Sequence, residues 1–185
     1  MEIKKYAKEN NIPIINDDGL ELLLALIEQY QVTSILEIGT AIGYSALQMA
    51  SVDSVKKIVT IERNEASYQQ ALLNTKANNK IKCLYGDALV LEVIGDFDLL
   101  FIDGAKAQYQ KFFDKYIKQA KFVFVDNINF HGLVENPDLT TNRNTKQLVR
   151  KIKKFKENML VSDNYHTTYY NKGDGVLFIR RSNHE

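Results

Sequence analysis

Residues 34–46, Ser-Ile-Leu-Glu-Ile-Gly-Thr-Ala-Ile-Gly-Tyr-Ser-Ala, pass from an apolar strand-like run through a glycine-punctuated turn into a helix-like segment. In open α/β sheets nucleotide-like ligands bind at such a place. Glycine lets the backbone approach closely, and the start of a helix offers unpaired N–H groups. The dinucleotide fingerprint has glycine where this chain has Ala41, which argues against a pyrophosphate-binding NAD enzyme. A tight turn that holds no ligand reads from the same residues.

Working outward, runs rich in Ile, Val, Leu and Phe recur at 34–38, 57–62, 81–85, 98–103 and 121–126. Helix-period segments lie between them, at 20–30, 45–50, 65–77 and 109–119. The alternation predicts a mostly parallel α/β sheet with helices on both faces. After Asn127 a polar stretch with Pro137 and then a basic helix lead to strand-like runs at 167–170 and 176–180. The glycine-rich turn between those runs predicts a C-terminal antiparallel hairpin, bringing the sheet to seven strands. Residues 1–185 read as one domain, with 1–18 as a peripheral N-terminal helix.

Composition narrows the function classes. With 45% hydrophobic and 25% charged residues and a net charge of +1, the 185-residue chain is not disordered. A single cysteine, Cys83, allows neither an intramolecular disulfide nor a cysteine-based zinc site, which points to a reducing compartment, the cytoplasm. The N-terminus lacks a signal-peptide core, and no apolar run approaches the roughly 20 residues that span a bilayer, so no membrane partner is expected. The charge is unevenly spread. Residues 142–156 hold seven basic and no acidic side chains, leaving the rest of the chain at −6.

Chemistry gathers at the carboxyl ends of the strand-like runs. Glu62, about 20 residues past the glycine turn, is placed to accept hydrogen bonds from two ribose hydroxyls. Asp87, after the third run, could meet an adenine amino group. Asp103 and the pair Asp126-Asn127 end neighbouring runs, and two carboxylates with an amide oxygen are hard ligands suited to Mg²⁺. Lys106 follows closely. Each residue alone also reads as an ordinary cap or strand end.

Together these segments resemble the metal-dependent catechol-type O-methyltransferases that use S-adenosylmethionine. The resemblance includes 36–45, the Thr60-Ile61-Glu62 strand end, Gly86-Asp87-Ala88, Ile102 to Lys106, Val125-Asp126-Asn127 and Gly173-Asp174-Gly175. It implies a Rossmann-like class I methyltransferase fold. It also implies that Glu37, Gly39, Gly43 and Ser45 surround the methionine end of the cofactor, Glu62 holds its ribose, and Asp87 and Ala88 lie at its adenine. Asp103, which also borders the cofactor, would bind Mg²⁺ with Asp126 and Asn127, and Lys106 falls at the family's catalytic lysine, which takes the proton of the attacking hydroxyl. A homodimer is the implied assembly. Because the chain begins close to the first shared segment, a more open acceptor site is expected.

One branch is more similar still: the bacterial tRNA methyltransferases that convert wobble 5-hydroxyuridine to 5-methoxyuridine. The segments 6–14, 41–46 and 148–154 carry that resemblance, which implies a tRNA anticodon loop as partner. A uracil with a 5-hydroxyl and a 4-carbonyl presents two adjacent oxygens, as a catechol does. On a helix, Leu148, Ile152 and Phe155 would share an apolar face, with Arg143, Lys146, Arg150 and Lys153 as a cationic ridge opposite and Lys154 beside it. Phosphates are the natural partner of such a ridge. A solvated surface on a lysine-rich protein gives the same pattern, and a small catechol-like phenol is the other acceptor. His131 could line the acceptor pocket, while His166 and His184 carry no signal.

Overall fold

The computed structural model describes residues 2–181; His184 lies outside them. In chain order the elements are α1 (Glu2–Glu9), α2 (Asp17–Gln29), β1 (Ser34–Ile38), α3 (Tyr44–Ala50), β2 (Lys57–Glu62), α4 (Glu65–Thr75), β3 (Ile81–Tyr85), β4 (Phe97–Ile102), α5 (Tyr109–Tyr116), β5 (Ala120–Val125), α6 (Arg143–Leu160), β6 (Tyr165–Tyr170) and β7 (Val176–Arg181). The seven strands lie in the order β3-β2-β1-β4-β5-β7-β6. The first five are parallel, and β7 runs antiparallel to both β5 and β6. The expected seven-stranded sheet and hairpin are present.

Side chains alternate across each strand, so the sheet builds a separate core on each face. Leu36, Ile38, Leu100, Ile102, Val123 and Val125 pack with α5 and α6 through residues such as Phe112, Tyr116, Ile152 and Phe155. Ile35, Ile58, Leu99, Phe101 and Phe124 pack on the other face with α2 and α3, through Leu23, Ile27 and Met49. Parallel strands covered on both sides must be apolar throughout, which is why β4 and β5 are continuous hydrophobic runs.

Three expectations need correction. Residues 1–18 are not one peripheral helix. α1 ends at Glu9, and α2 starts at Asp17 because Asn16 Oδ1 accepts from Gly19 N at 2.8 Å while Asp17 and Asp18 favour the positive end of the helix. Ala7 and Ile15 are also buried in the fold. Further along, the helix expected over 109–119 changes to a 3₁₀ turn at Ile117–Gln119. The hairpin opens at Tyr165, two residues before the expected start, since Tyr165 pairs with Arg181. No helix among the described residues is long and apolar enough to cross a membrane.

Candidate active site

A parallel sheet carries the carboxyl ends of its strands to one edge, and here that edge bounds a cavity of about 340 Å³. Gly39, Glu62, Asp87, Ala88, Asp103 and Lys106 line it, each from the loop after a strand or from the strand's last residue. Gly39 has φ +105°, and a Cβ there would lie 2.6 Å from the Asp103 carbonyl oxygen. The end of β1 is laced to its neighbours on both sides at this point, where Asp103 N donates to Ile38 O at 2.9 Å and Gly39 N to Ile61 O of β2 at 3.0 Å.

Glu62 is held by the turn it serves. One of its oxygens accepts from Ala41 N at 2.9 Å and the other from Asn64 N at 2.7 Å, and Ala41 takes the left-handed conformation, φ +47°. Each carboxylate oxygen keeps a second lone pair for a hydroxyl in the cavity. Asp87 Oδ1 accepts from Leu89 N at 2.8 Å, which orients the side chain. Ala88 is buried, and its carbonyl accepts from the Tyr116 hydroxyl at 2.5 Å.

The residues expected around the methionine end divide. Gly39 lines the cavity, but Glu37, Gly43 and Ser45 are not among its lining residues. Glu37 is fully buried, on the face of β1 opposite Leu36 and Ile38. It accepts hydrogen bonds from the Ser45 hydroxyl and, at 2.5 Å, from Thr60 Oγ1. Burial pushes its carboxyl up to about 7 despite those two donors. Gly43, with φ +83°, leaves room for α4, whose Thr75 methyl would be 2.9 Å from a Cβ. These three residues build the turn from beneath. A motif records residue types, whereas strand phase decides which face a side chain takes.

At the ends of β4 and β5, Asp103 borders the cavity and Asp126 is buried behind it. Asp126 Oδ1 accepts from Asn127 N at 2.8 Å, while Asp126 Oδ2 is buried with no hydrogen-bond partner among the described residues. Asn127 Nδ2 donates to Asp103 Oδ1 at 3.3 Å. Burial and then the Asp126 charge push the Asp103 carboxyl up to about 8, with the Lys106 ammonium opposing, and burial likewise raises Asp126. An orphaned carboxylate oxygen beside a second, half-buried carboxyl has no hydrogen-bond donor, and a hard divalent cation would supply a partner. The donor set fits Mg²⁺. Among the described residues no group of three or more His, Cys, Asp or Glu side chains forms a metal site, so the set rests on two carboxylates and an amide.

Lys106 and Asn127 also border a second hollow, with Pro13, Asp17, His131 and Asp174 on its walls. The candidate metal ligand and the candidate base thus stand where two hollows meet. Sequence reading missed the loop before α2, where Ile12, Pro13 and Ile14 wall the first cavity, and also Phe112 and Gln108. The apolar Ile12-Pro13-Ile14 trio was the available signal. Tyr109 was missed as well: its buried hydroxyl donates to the Asp126 carbonyl at 2.8 Å and steadies that strand end.

On α6, Val149, Ile152, Phe155, Lys156 and Met159 are buried, and Leu148 is only partly buried. Arg143, Arg150, Lys153 and Lys154 are exposed, and Lys146 is half-buried, 3.9 Å from Asp138. The expected ridge faces solvent, but Lys156, the last basic residue of the run, turns inward.

Comparison with known proteins agrees with this architecture. The sequence model of a family described as O-methyltransferase matches residues 1–182. A Staphylococcus aureus structure named provisionally as a caffeoyl-CoA O-methyltransferase superposes with a TM-score of 0.91 at 35% identity, covering 97% of this chain and 90% of that one. A Bacillus cereus O-methyltransferase in complex with SAH gives a TM-score of 0.82 at 23% identity, over 98% and 89% of the two chains. The caffeoyl-CoA O-methyltransferase of Stellaria longipes is 23% identical, with 97% of this chain and 82% of that protein covered. The fold is that of the class I S-adenosylmethionine methyltransferases.

Proposed function

The chain belongs to the O-methyltransferase family, and we propose that it methylates the 5-hydroxyl of wobble 5-hydroxyuridine in tRNA to give 5-methoxyuridine, using S-adenosylmethionine and Mg²⁺. The observation that carries the chemistry is the pair of half-buried Asp103 and buried Asp126, with Asp126 Oδ2 unpartnered among the described residues, beside Lys106 at the junction of two hollows. The SAH bound to the Bacillus cereus relative supports the choice of methyl donor.

S-adenosylmethionine supplies a sulfonium methyl already activated for displacement. Asp103, Asp126 and Asn127 would hold Mg²⁺, which would supply Lewis-acid chemistry to the acceptor. The chain does the rest. Glu62 accepts from ribose hydroxyls with the lone pairs that Ala41 N and Asn64 N leave open, and Asp87 and Ala88 bound the adenine end. Lys106 Nζ takes the proton of the attacking hydroxyl. Ile12, Pro13 and Ile14 restrict water at the cavity wall, and fixed orientation of the two reactants lowers the barrier further.

The exposed cations of α6, namely Arg143, Arg150, Lys153 and Lys154, with Lys146 beside them, support RNA as the acceptor, because phosphates give such a ridge a partner. A second reading, methylation of a small catechol-like phenol, draws on the names of the Stellaria longipes and Staphylococcus aureus relatives. The same metal site would serve both acceptors. We include a homodimer in the proposal, to be tested by sedimentation.

The deciding experiment measures transfer of labelled methyl from S-adenosylmethionine, with and without Mg²⁺, to tRNA from cells lacking this protein and to a simple catechol. Metal-dependent label at 5-hydroxyuridine is the expected result. Label on catechol alone overturns the RNA reading and retains the family chemistry.

A further inference from the structure

Lys156 belongs to the basic run of α6 but is only 8% exposed. Its Nζ donates to Glu135 Oε1 at 2.8 Å and to Asn129 Oδ1 at 3.3 Å, and lies 4.3 Å from the centre of the Tyr169 ring. Asn129 closes the network: its Nδ2 donates to the Tyr169 hydroxyl at 2.9 Å. Three elements meet here, namely α6, β6 and the loop that follows β5.

That loop carries the candidate metal ligand Asn127 and the acceptor-side His131. Its backbone is unusual, since Asn127, Phe130 and His131 all take left-handed φ values of 59°, 45° and 57°. Non-glycine residues hold such conformations only where the surroundings dictate them. Tethers to the β6–β7 turn supply part of that constraint: Asn129 N donates to Asp174 O at 2.8 Å, and His131 N to Asp174 Oδ1 at 2.7 Å. Lys156 adds a side-chain tether that grips the loop at two points, through Asn129 and through Glu135 on the far side of the left-handed pair.

We propose that Lys156 is a positioning residue, which clamps the loop of residues 127–135 to α6 and so holds Asn127 and His131 in place for metal and acceptor. The inference rests on the functional reading above for its consequence, but not for the clamp itself. A buried cation fits this task because its ammonium can satisfy a carboxylate, an amide oxygen and an aromatic face at once. Within the described residues, the outward lysines of the same helix make none of these contacts with the loop.

The test compares the full-length wild type with Lys156→Met and Lys156→Arg. Hydrogen exchange at the amides of Ile128, Asn129 and His131 is expected to accelerate about tenfold or more in Lys156→Met, with the amides of β4 and β5 unchanged. Mn²⁺ affinity, read by electron paramagnetic resonance with S-adenosylhomocysteine present, should fall about 10- to 100-fold while affinity for S-adenosylhomocysteine is retained. Lys156→Arg should restore most of both. A folded Lys156→Met protein with wild-type loop exchange and Mn²⁺ affinity overturns the proposal. If Lys156→Met does not fold, Glu135→Ala, which removes the carboxylate that Lys156 grips on the loop, carries the comparison; faster exchange confined to the loop supports the clamp, and unchanged exchange overturns it. A wild type that takes up no Mn²⁺ counts against the metal reading alone, and loop exchange then decides the clamp.

Discussion

Asn127 and Asp103 stand at the ends of neighbouring parallel strands and touch through Asn127 Nδ2 and Asp103 Oδ1, 3.3 Å apart, while Oδ2 of Asp126 behind them has no donor among the described residues. The arrangement spends folding stability on a buried carboxyl group with one oxygen unpartnered.

Replacing Asp126 with Asn therefore separates stability from function. The neutral side chain removes a buried charge next to Asp103, so the metal-free protein should be no less stable than wild type in urea denaturation. Mn²⁺ binding should fall at least about 100-fold, and methyl transfer with it. Retained metal affinity in the variant would remove Asp126 from the ligand set.

Lys106 borders both hollows, and its removal should act on the chemical step. In Lys106→Ala, turnover is expected to drop about 10²- to 10⁴-fold, the usual contribution of a general base. Affinities for S-adenosylmethionine and Mn²⁺, measured by calorimetry, should change little. Unaltered turnover excludes the lysine as base.

The outer face of α6 sets a third expectation. Arg150 and Lys154, one helical turn apart and both exposed, should contact phosphates, so charge reversal at both should weaken tRNA binding and flatten its salt dependence by about 0.7 to 0.9 in log–log slope per lost contact. Methylation of a neutral catechol should not respond to the reversal or to salt. Equal loss with both acceptors would make the ridge structural.

Glu37 sets the last expectation, concerning pH. Its carboxyl is pushed up to about 7 in the fold, chiefly by burial, against roughly 4.3 when unfolded. The folded state then binds the proton more tightly, so this group stabilises the fold at acid pH. Its contribution declines as pH rises from about 4.3 to about 7 and stays low above that. Glu37→Gln should flatten that part of the profile and be relatively more stable at pH 8, measured by urea denaturation across the range. A wild-type slope in the variant would assign the pH dependence elsewhere.

Much of this architecture was legible from residue order. Continuous apolar runs such as Leu99 to Ile102 mark strands covered on both faces, and a polar residue directly after each run marks the carboxyl edge. That is why Glu62, Asp87, Asp103 and Lys106 all line the cavity. The turn at Gly39 was also readable, since backbone crossing 2.6 Å from a would-be Cβ leaves glycine as the residue that fits. Element ends were less so: α2 begins at Asp17 through a cap made by Asn16, a contact between a side chain and a backbone N–H three residues on.

By itself, then, the sequence determined the order of strands and helices, the edge at which the chemistry sits and the identities of the acids there. These follow from local periodicity and from the polar punctuation of apolar runs. Only the tertiary structure decided where individual side chains point: Glu37 beneath the turn with Ser45 and Thr60, Lys156 inward against Asn129 and Glu135, Ile12 to Ile14 over the cavity. Direction depends on which packed element lies opposite, and that is a property of contacts between residues far apart in the chain.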